Sequence, residues 1–252
     1  MDLPVYILLG GTIGNRLPAI SSIYAGTPED MRVRLAMHRA TGYISRSIKI
    51  GALDEDGGPA LDAERLADRE TGKYFIVDAN GGLLPETALR MLRMLPDKLD
   101  FVLKAPCATW RETMSLRQRC TVPIILDELA QQDGDIAAIL GRNVADGIGL
   151  KISKAGGLTR ARRHRDICRA ARLTISVQCT VGSTLCAASI FHFGATVPKN
   201  LLRCVLDPHD MVTIHTGAFD APITDGSVVP PDVPGLGVTV DRDLLDEAIC
   251  TW

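Results

Sequence analysis

The sequence contains no CxxC pair, no apolar run approaching the ~20 residues that cross a bilayer, and no surplus of either charge. Each absence excludes a class of protein. Seven cysteines, Cys107, Cys120, Cys168, Cys179, Cys186, Cys204 and Cys250, form an odd set without metal-ligand spacing. That excludes a disulfide framework and a zinc site and predicts buried or half-buried thiols in a reducing cytoplasm. The 28 basic and 30 acidic residues are interspersed, sum to a net charge of -2, and leave no footprint for nucleic acid or an anionic membrane. The start, MDLPVYILLGG, has neither a basic n-region nor a small-residue cleavage site, so a soluble cytoplasmic protein is expected. Against these shortages stands apolar material: 46% of 252 residues are hydrophobic, enough for a folded core. The length suits either one α/β barrel or two compact domains.

One unit recurs along the chain, a short β-rich run followed by an amphipathic stretch. The runs are 18–25 (PAISSIYA), 43–50 (YISRSIKI), 73–79 (KYFIVDA), 100–105 (DFVLKA), 122–128 (VPIILDE), 147–153 (GIGLKIS), 173–179 (LTISVQC) and 201–206 (LLRCVL). Helical spacing appears in TPEDMRVRLAMHRA, LDAERLADRE, LPETALRMLRML, ATWRETMSLRQRC, LTRARRHRDICRAAR and TLCAASIFHFGAT. Thr27 before Pro28, Glu29 and Asp30 reads as an N-cap with proline at the first helical position. Eight alternating units predict a (β/α)8 TIM-type barrel over 18–206, close to the roughly 250 residues typical of that fold. A doubly wound sheet remains the alternative, because periodicity does not report closure. Residues 1–17 are a leading segment into the barrel. The proline-rich stretch 207–252 is expected to be irregular and to wrap the barrel surface.

In a parallel barrel the active site lies where the strands end. Here those ends are polar: Lys49, Asp78 and Asn80, Lys104, Asp127 and Glu128, Lys151 and Lys154, Gln178 and Thr180, and Asp207. Lys49 and Lys151 each sit inside an apolar alternation, so strand parity turns both away from their branched neighbours and into the mouth. They belong to the second and sixth strands, on opposite sides of the barrel. Two opposed amines can remove and return a proton on either face of a carbon. Asp78 and Asp127, on the third and fifth strands, suit a hard cation such as Mg2+.

These residues carry a resemblance. Ser47-Ile48-Lys49, Val77-Asp78-Ala79-Asn80, Leu126-Asp127-Glu128 and the run Leu150 to Gly157 (LKISKAGG) resemble the enolase superfamily in its muconate-lactonizing and mandelate-racemase branch. The stretches KIGALDEDGGPALDAER, FVLKAPCATWRE, KAGGLTRARRHRDIC, TVGSTLCAA and RCVLDPHDMVTIHTGAFD are similar to the cis-3-hydroxy-L-proline dehydratases of that branch. The resemblance implies a lyase in which Lys49 and Lys151 are the acid/base pair and Asp78 and Asp127 are two of three Mg2+ ligands. Asn80, Lys154, Thr180 and Asp207 would bind a cyclic amino acid. Loss of the β-hydroxyl from an enediolate would yield pyrroline-2-carboxylate.

The sequence departs from the family pattern at Lys104, where the resemblance implies glutamate. An ammonium about 4 Å from a divalent ion is repelled by roughly 8 kcal/mol at an effective dielectric near 20. Weakened Mg2+ affinity is therefore expected, with the ammonium itself set against Asp78 and Asp127. Cys179 and Thr184 stand where the dehydratase pattern implies aspartates. The family's α+β capping domain has no counterpart before Leu3, so exposure of Val5, Tyr6, Ile7 and Leu8, or a homo-oligomer contact through them, is expected. Three readings follow: a dehydratase or a 2-epimerase of a proline derivative, an inactive barrel that binds an amino-acid-like ligand, and a Schiff-base aldolase that would leave Asp78 and Asp127 without a role. The run Gly10 to Gly14 is not read as a dinucleotide fingerprint, and His164 is read as part of a solvated basic face.

Overall fold

The computed structural model describes residues 2–14, 16–51, 62–63, 66, 75–97 and 99–245. Eight parallel strands close on themselves: β1 (Leu17–Ile23), β2 (Ser45–Lys49), β3 (Phe75–Asp78), β4 (Phe101–Lys104), β5 (Ile124–Leu126), β6 (Gly147–Lys151), β7 (Thr174–Gln178) and β8 (Leu202–Leu206). The closing pair is β1 with β8, in register at Ala19 with Val205 and Ile20 with Leu206. Closure decides between the barrel and the doubly wound sheet in favour of the barrel. Seven strands lie within their β-rich runs, and β1 begins one residue ahead of its run, at Leu17. The helix expected over 61–70 lies outside the described residues except for Asp62, Ala63 and Leu66, as do Lys73, Tyr74, Cys250 and Trp252.

Around the barrel run α1 (Val5–Leu8), α2 (Pro28–Ala40), α3 (Pro85–Met94), α4 (Trp110–Arg117), α5 (Asp133–Arg142), α6 (Ile152–Ala155), α7 (Leu158–Ala171) and α8 (Thr184–Gly194). Local chemistry starts them. The Thr27 hydroxyl accepts the Asp30 N–H at 3.1 Å ahead of Pro28. Thr109 and Glu112 cap α4 reciprocally, each accepting the other's backbone N–H. The helix α5 has no counterpart among the helical patterns of the sequence: Gly134 and Gly141 dilute the signal, although Ile136 and Ile139 are buried. The sixth strand is also shorter than its run. The chain leaves it at Lys151, makes the single turn of α6, and reaches α7 through Gly156 and Gly157, whose φ of 88° and 106° suit glycine.

The helix α8 is apolar on nearly every side because it is covered twice, by β7 and β8 inside and by the tail outside. Ala187, Ile190, Phe191 and Phe193 are all buried. The described part of the tail, 207–245, is largely irregular. Its short strands are β9 (Gly217–Ala218) paired with β11 (Thr239–Val240), and β10 (Ser227–Val228), which runs antiparallel to the start of β1. It also ties down the leading segment: Val5 N–H donates to Gly235 O at 2.9 Å, and Tyr6 hydroxyl donates to Asp232. Tyr6, expected on the surface, is therefore buried and stacks on His192, whereas Ile7 and Leu8 are exposed. Six described cysteines are free thiols, all buried except the half-buried Cys186. Among the described residues no helix is long and apolar enough to cross a membrane.

Candidate active site at the barrel mouth

Register places the charged residues side by side. Lys49 pairs with Asp78 across β2 and β3, and Asp78 pairs with Lys104 across β3 and β4, so three inward side chains form one row. Asp127 follows β5 and continues the row, and Lys151 closes β6. Lys104 lies at its centre, with Nζ 2.7 Å from Asp78 Oδ2 and 2.8 Å from Asp127 Oδ2. Lys49 Nζ donates to the same Asp78 oxygen at 2.6 Å and to Asn80 Oδ1 at 2.7 Å. Lys151 Nζ is 2.7 Å from Asp127 Oδ2. Asp78, Lys104 and Asp127 are 0%, 2% and 1% exposed, so these pairs act almost without water. The Asp127 contacts are close ion pairs that lie off the hydrogen-bond axis.

Gly149 makes room for this arrangement. A β-carbon there would lie 3.1 Å from Lys104 Cε and 3.6 Å from both Asp127 Cβ and Gln178 Oε1. The missing side chain lets the lysine stem lie against the β6 backbone.

Burial raises the cost of every charge here, and the neighbours reverse it in three of four cases. For Asp78 burial pushes the carboxyl pKa up, but Lys104 and Lys49 together hold it down at about 2. Asp127 is likewise lowered, burial being overcome by Lys104 and Lys151. Lys104 is raised well above the ordinary lysine value, because Asp78 and Asp127 outweigh its desolvation. Lys151 differs: burial, reinforced by the Lys104 and Lys154 charges, outweighs Asp127 and lowers its pKa.

Lys49, Asp78, Lys104 and Lys151 line one cavity of about 130 Å³ with Ser22, Tyr24, Ser47, Gln178, Cys179, Thr180, Val181, Leu206 and Met211. That is room for roughly four waters, or a small organic molecule in their place. Thr180 reaches the cavity and exchanges a hydrogen bond with Ser153 at 3.1 Å. Asn80 sits at the rim with φ 46°, its Nδ2 donating to Glu128 Oε1 at 3.1 Å. Lys154, on α6, lies 3.7 Å from Asp127 Oδ1 and 3.9 Å from Glu128 Oε1, outside the cavity wall. Asp207 is turned away from the mouth: it accepts from the Tyr43 hydroxyl at 2.6 Å and pairs with His209. Parity explains the separation, since Leu206 points inward and the next residue points out. His164, read as a solvated face, is buried 2.9 Å from Asp133. Ser22 and Ser47 were legible by that same parity, two positions from inward neighbours. Met211 returns from the tail without any sequence signal.

Mg2+ takes about six oxygen ligands at roughly 2.0–2.1 Å. The mouth offers Asp78 and Asp127, but the ion between them is already the Lys104 ammonium. No group of three or more His, Cys, Asp or Glu side chains able to hold a metal occurs among the described residues. The donor set does not fit Mg2+.

Residues 30–244 match the enolase C-terminal domain-like family. The chain is 28% identical over 249 residues to a cis-3-hydroxy-L-proline dehydratase of Roseibium aggregatum, covering 99% of this chain and 67% of that protein. It is 30% identical over 241 residues to a hydrophobic dipeptide epimerase of Roseobacter litoralis, covering 93% of this chain and 67% of the relative. Its fold superposes with a TM-score of 0.92 on a Roseovarius nubinhibens protein of the mandelate racemase/muconate lactonizing type, crystallised with magnesium. That structure is 49% identical and covers 100% of this chain and 70% of its own. Matches of this extent, on a closed barrel with these strand ends, make the chain a member of the enolase superfamily, in its mandelate racemase and muconate lactonizing branch.

Proposed function

We propose that the barrel mouth transfers protons at the α-carbon of a small proline-like amino acid, with dehydration of a cis-3-hydroxylated proline as the net reaction. The observation that carries this reading is the pair Lys49 and Lys151, two amines from opposite strands lining a single cavity. The dehydratase among the relatives supports the substrate class.

The chemistry follows from their placement. Lys151, with one carboxylate partner against the two acceptors of Lys49, takes the α-hydrogen as a proton in its neutral form. The C–H electron pair moves toward the substrate carboxylate and returns to form a C=C bond as the β C–O bond breaks. The departing hydroxide takes a proton from Lys49 and leaves as water. The unsaturated ring tautomerises to pyrroline-2-carboxylate. Asn80 holds Lys49 by its Oδ1, and Thr180 and Gln178 line the opposite wall. No step is routed through Mg2+.

The test follows cis-3-hydroxy-L-proline in deuterated water by NMR. Pyrroline-2-carboxylate is expected, with formation slowed at least about a hundredfold in Lys151→Met. Inverted configuration at an exchanged α-carbon, with the hydroxyl retained, would favour the epimerase reading. Neither exchange nor product from a folded chain would leave a barrel that binds without turnover, a reading favoured by the engagement of all three cavity amines with carboxylates.

A further inference from the structure

We infer that the mouth is a metal-independent receptor for one carboxylate, with the Lys104 ammonium as its permanent cation. This rests on the cavity being the ligand site, but not on turnover. The starting observation is the disagreement between the donor set and a divalent ion. Lys104 Nζ spans Asp78 and Asp127 at 2.7 and 2.8 Å, and its stem is fitted against Gly149.

Charge then selects the ligand. While Lys151 holds the proton that it must give up before it can act as a base, Lys49, Lys104 and Lys151 face Asp78 and Asp127 and leave one positive charge, with Lys154 and Glu128 at the rim offsetting each other. One carboxylate neutralises the excess. Hydrogen bonding gives the same answer. Three ammonium groups carry nine N–H donors; Asp78 and Asn80 accept three hydrogen bonds from them and Asp127 takes two off-axis ion-pair contacts, which leaves at least four donors for a ligand among the described residues. An ionised carboxylate accepts about four hydrogen bonds. A divalent ion added to this set would instead meet a fixed positive charge in the position it needs.

The test uses the intact chain. cis-3-Hydroxy-L-proline is titrated calorimetrically into protein stripped with EDTA and into protein with excess Mg2+. Prolinamide serves as the probe lacking a carboxylate, and Mn2+ uptake is followed separately by electron paramagnetic resonance. The dissociation constant of the amino acid should agree within about twofold between the two conditions, and prolinamide should bind at least about tenfold more weakly. Mn2+ should keep its free-ion signal with the unmodified chain and lose it with Lys104→Glu. Lys104→Met, which keeps the stem without the charge, should weaken amino-acid binding by at least about tenfold. Binding that requires Mg2+, stoichiometric Mn2+ uptake by the unmodified chain, equal binding of prolinamide, or no binding of the amino acid overturns the inference. If either variant fails to fold, the responses of the unmodified chain to EDTA, Mn2+ and prolinamide decide alone. Metal-free binding without α-proton exchange would remove the proposed reaction and leave the receptor. Exchange with binding that depends on Mg2+ would do the reverse.

Discussion

Two walls of one cavity are built from different chemistry. From β2 round to β6 the strand ends carry Lys49, Asp78, Lys104, Asp127 and Lys151, joined in an almost unbroken chain of ion pairs. From β7 round to β1 the cavity meets Gln178, Thr180, Cys179, Leu206 and Ser22. Asp207, which follows β8, is held outside by Tyr43 and His209. Under the proposed function the difference gives the ligand its direction: its charged group would lie against the lysines and its ring against the neutral wall. It also locates the energetic risk. Buried ions are tolerated only while each has its partner, so the charged wall is the part of the mouth least able to lose a residue.

The largest effect should come from breaking that wall at its centre. Lys104→Met leaves two buried carboxylates facing each other and should cost about 3–5 kcal/mol of stability in urea unfolding. A loss below about 1 kcal/mol would mean that water already screens the row. Acid should open the same wall more gently. Asp78 binds its proton at about 2 in the folded protein against an ordinary value of 3.8, so the unfolded chain takes up that proton first as pH falls. Its contribution, roughly 2 kcal/mol, is full above about pH 4 and is lost as pH falls toward 2. Unfolding free energies across that window should show the slope, and Asp78→Asn should reduce it, leaving the part that Asp127 contributes.

Much of this asymmetry was legible before any coordinates. Lys49 and Lys151 declared their direction by alternating with Ile48, Ile50, Leu150 and Ile152, because a strand has only two faces. The strands themselves were visible as short branched runs between helical patterns. Other features were hidden for physical reasons. The helix α5 begins Asp-Gly-Asp, a composition that reads as a turn until Ile136 and Ile139 find the barrel. Asp207 stood at a strand end like the others, but Leu206 had already taken the inward position. Met211 enters the mouth through long-range packing of a tail that has no period to read.

The neutral wall supplies the small end of the scale. Thr180→Val removes one hydrogen bond to Ser153 and should cost about 1 kcal/mol or less, leaving the acid response unchanged. An effect as large as that of Lys104→Met would erase the distinction between the walls.

Gly149 ties the lysine of one strand to the backbone of another. Lys104 Cε lies 3.1 Å from where a β-carbon at position 149 would stand, so a side chain there would press the lysine stem back by a few tenths of an ångström. Positions 104 and 149 are thus coupled in packing, and the effects of substituting both should not add. Enlarging residue 149 would press on the lysine that sits between Asp78 and Asp127, and shortening residue 104 would relieve that pressure.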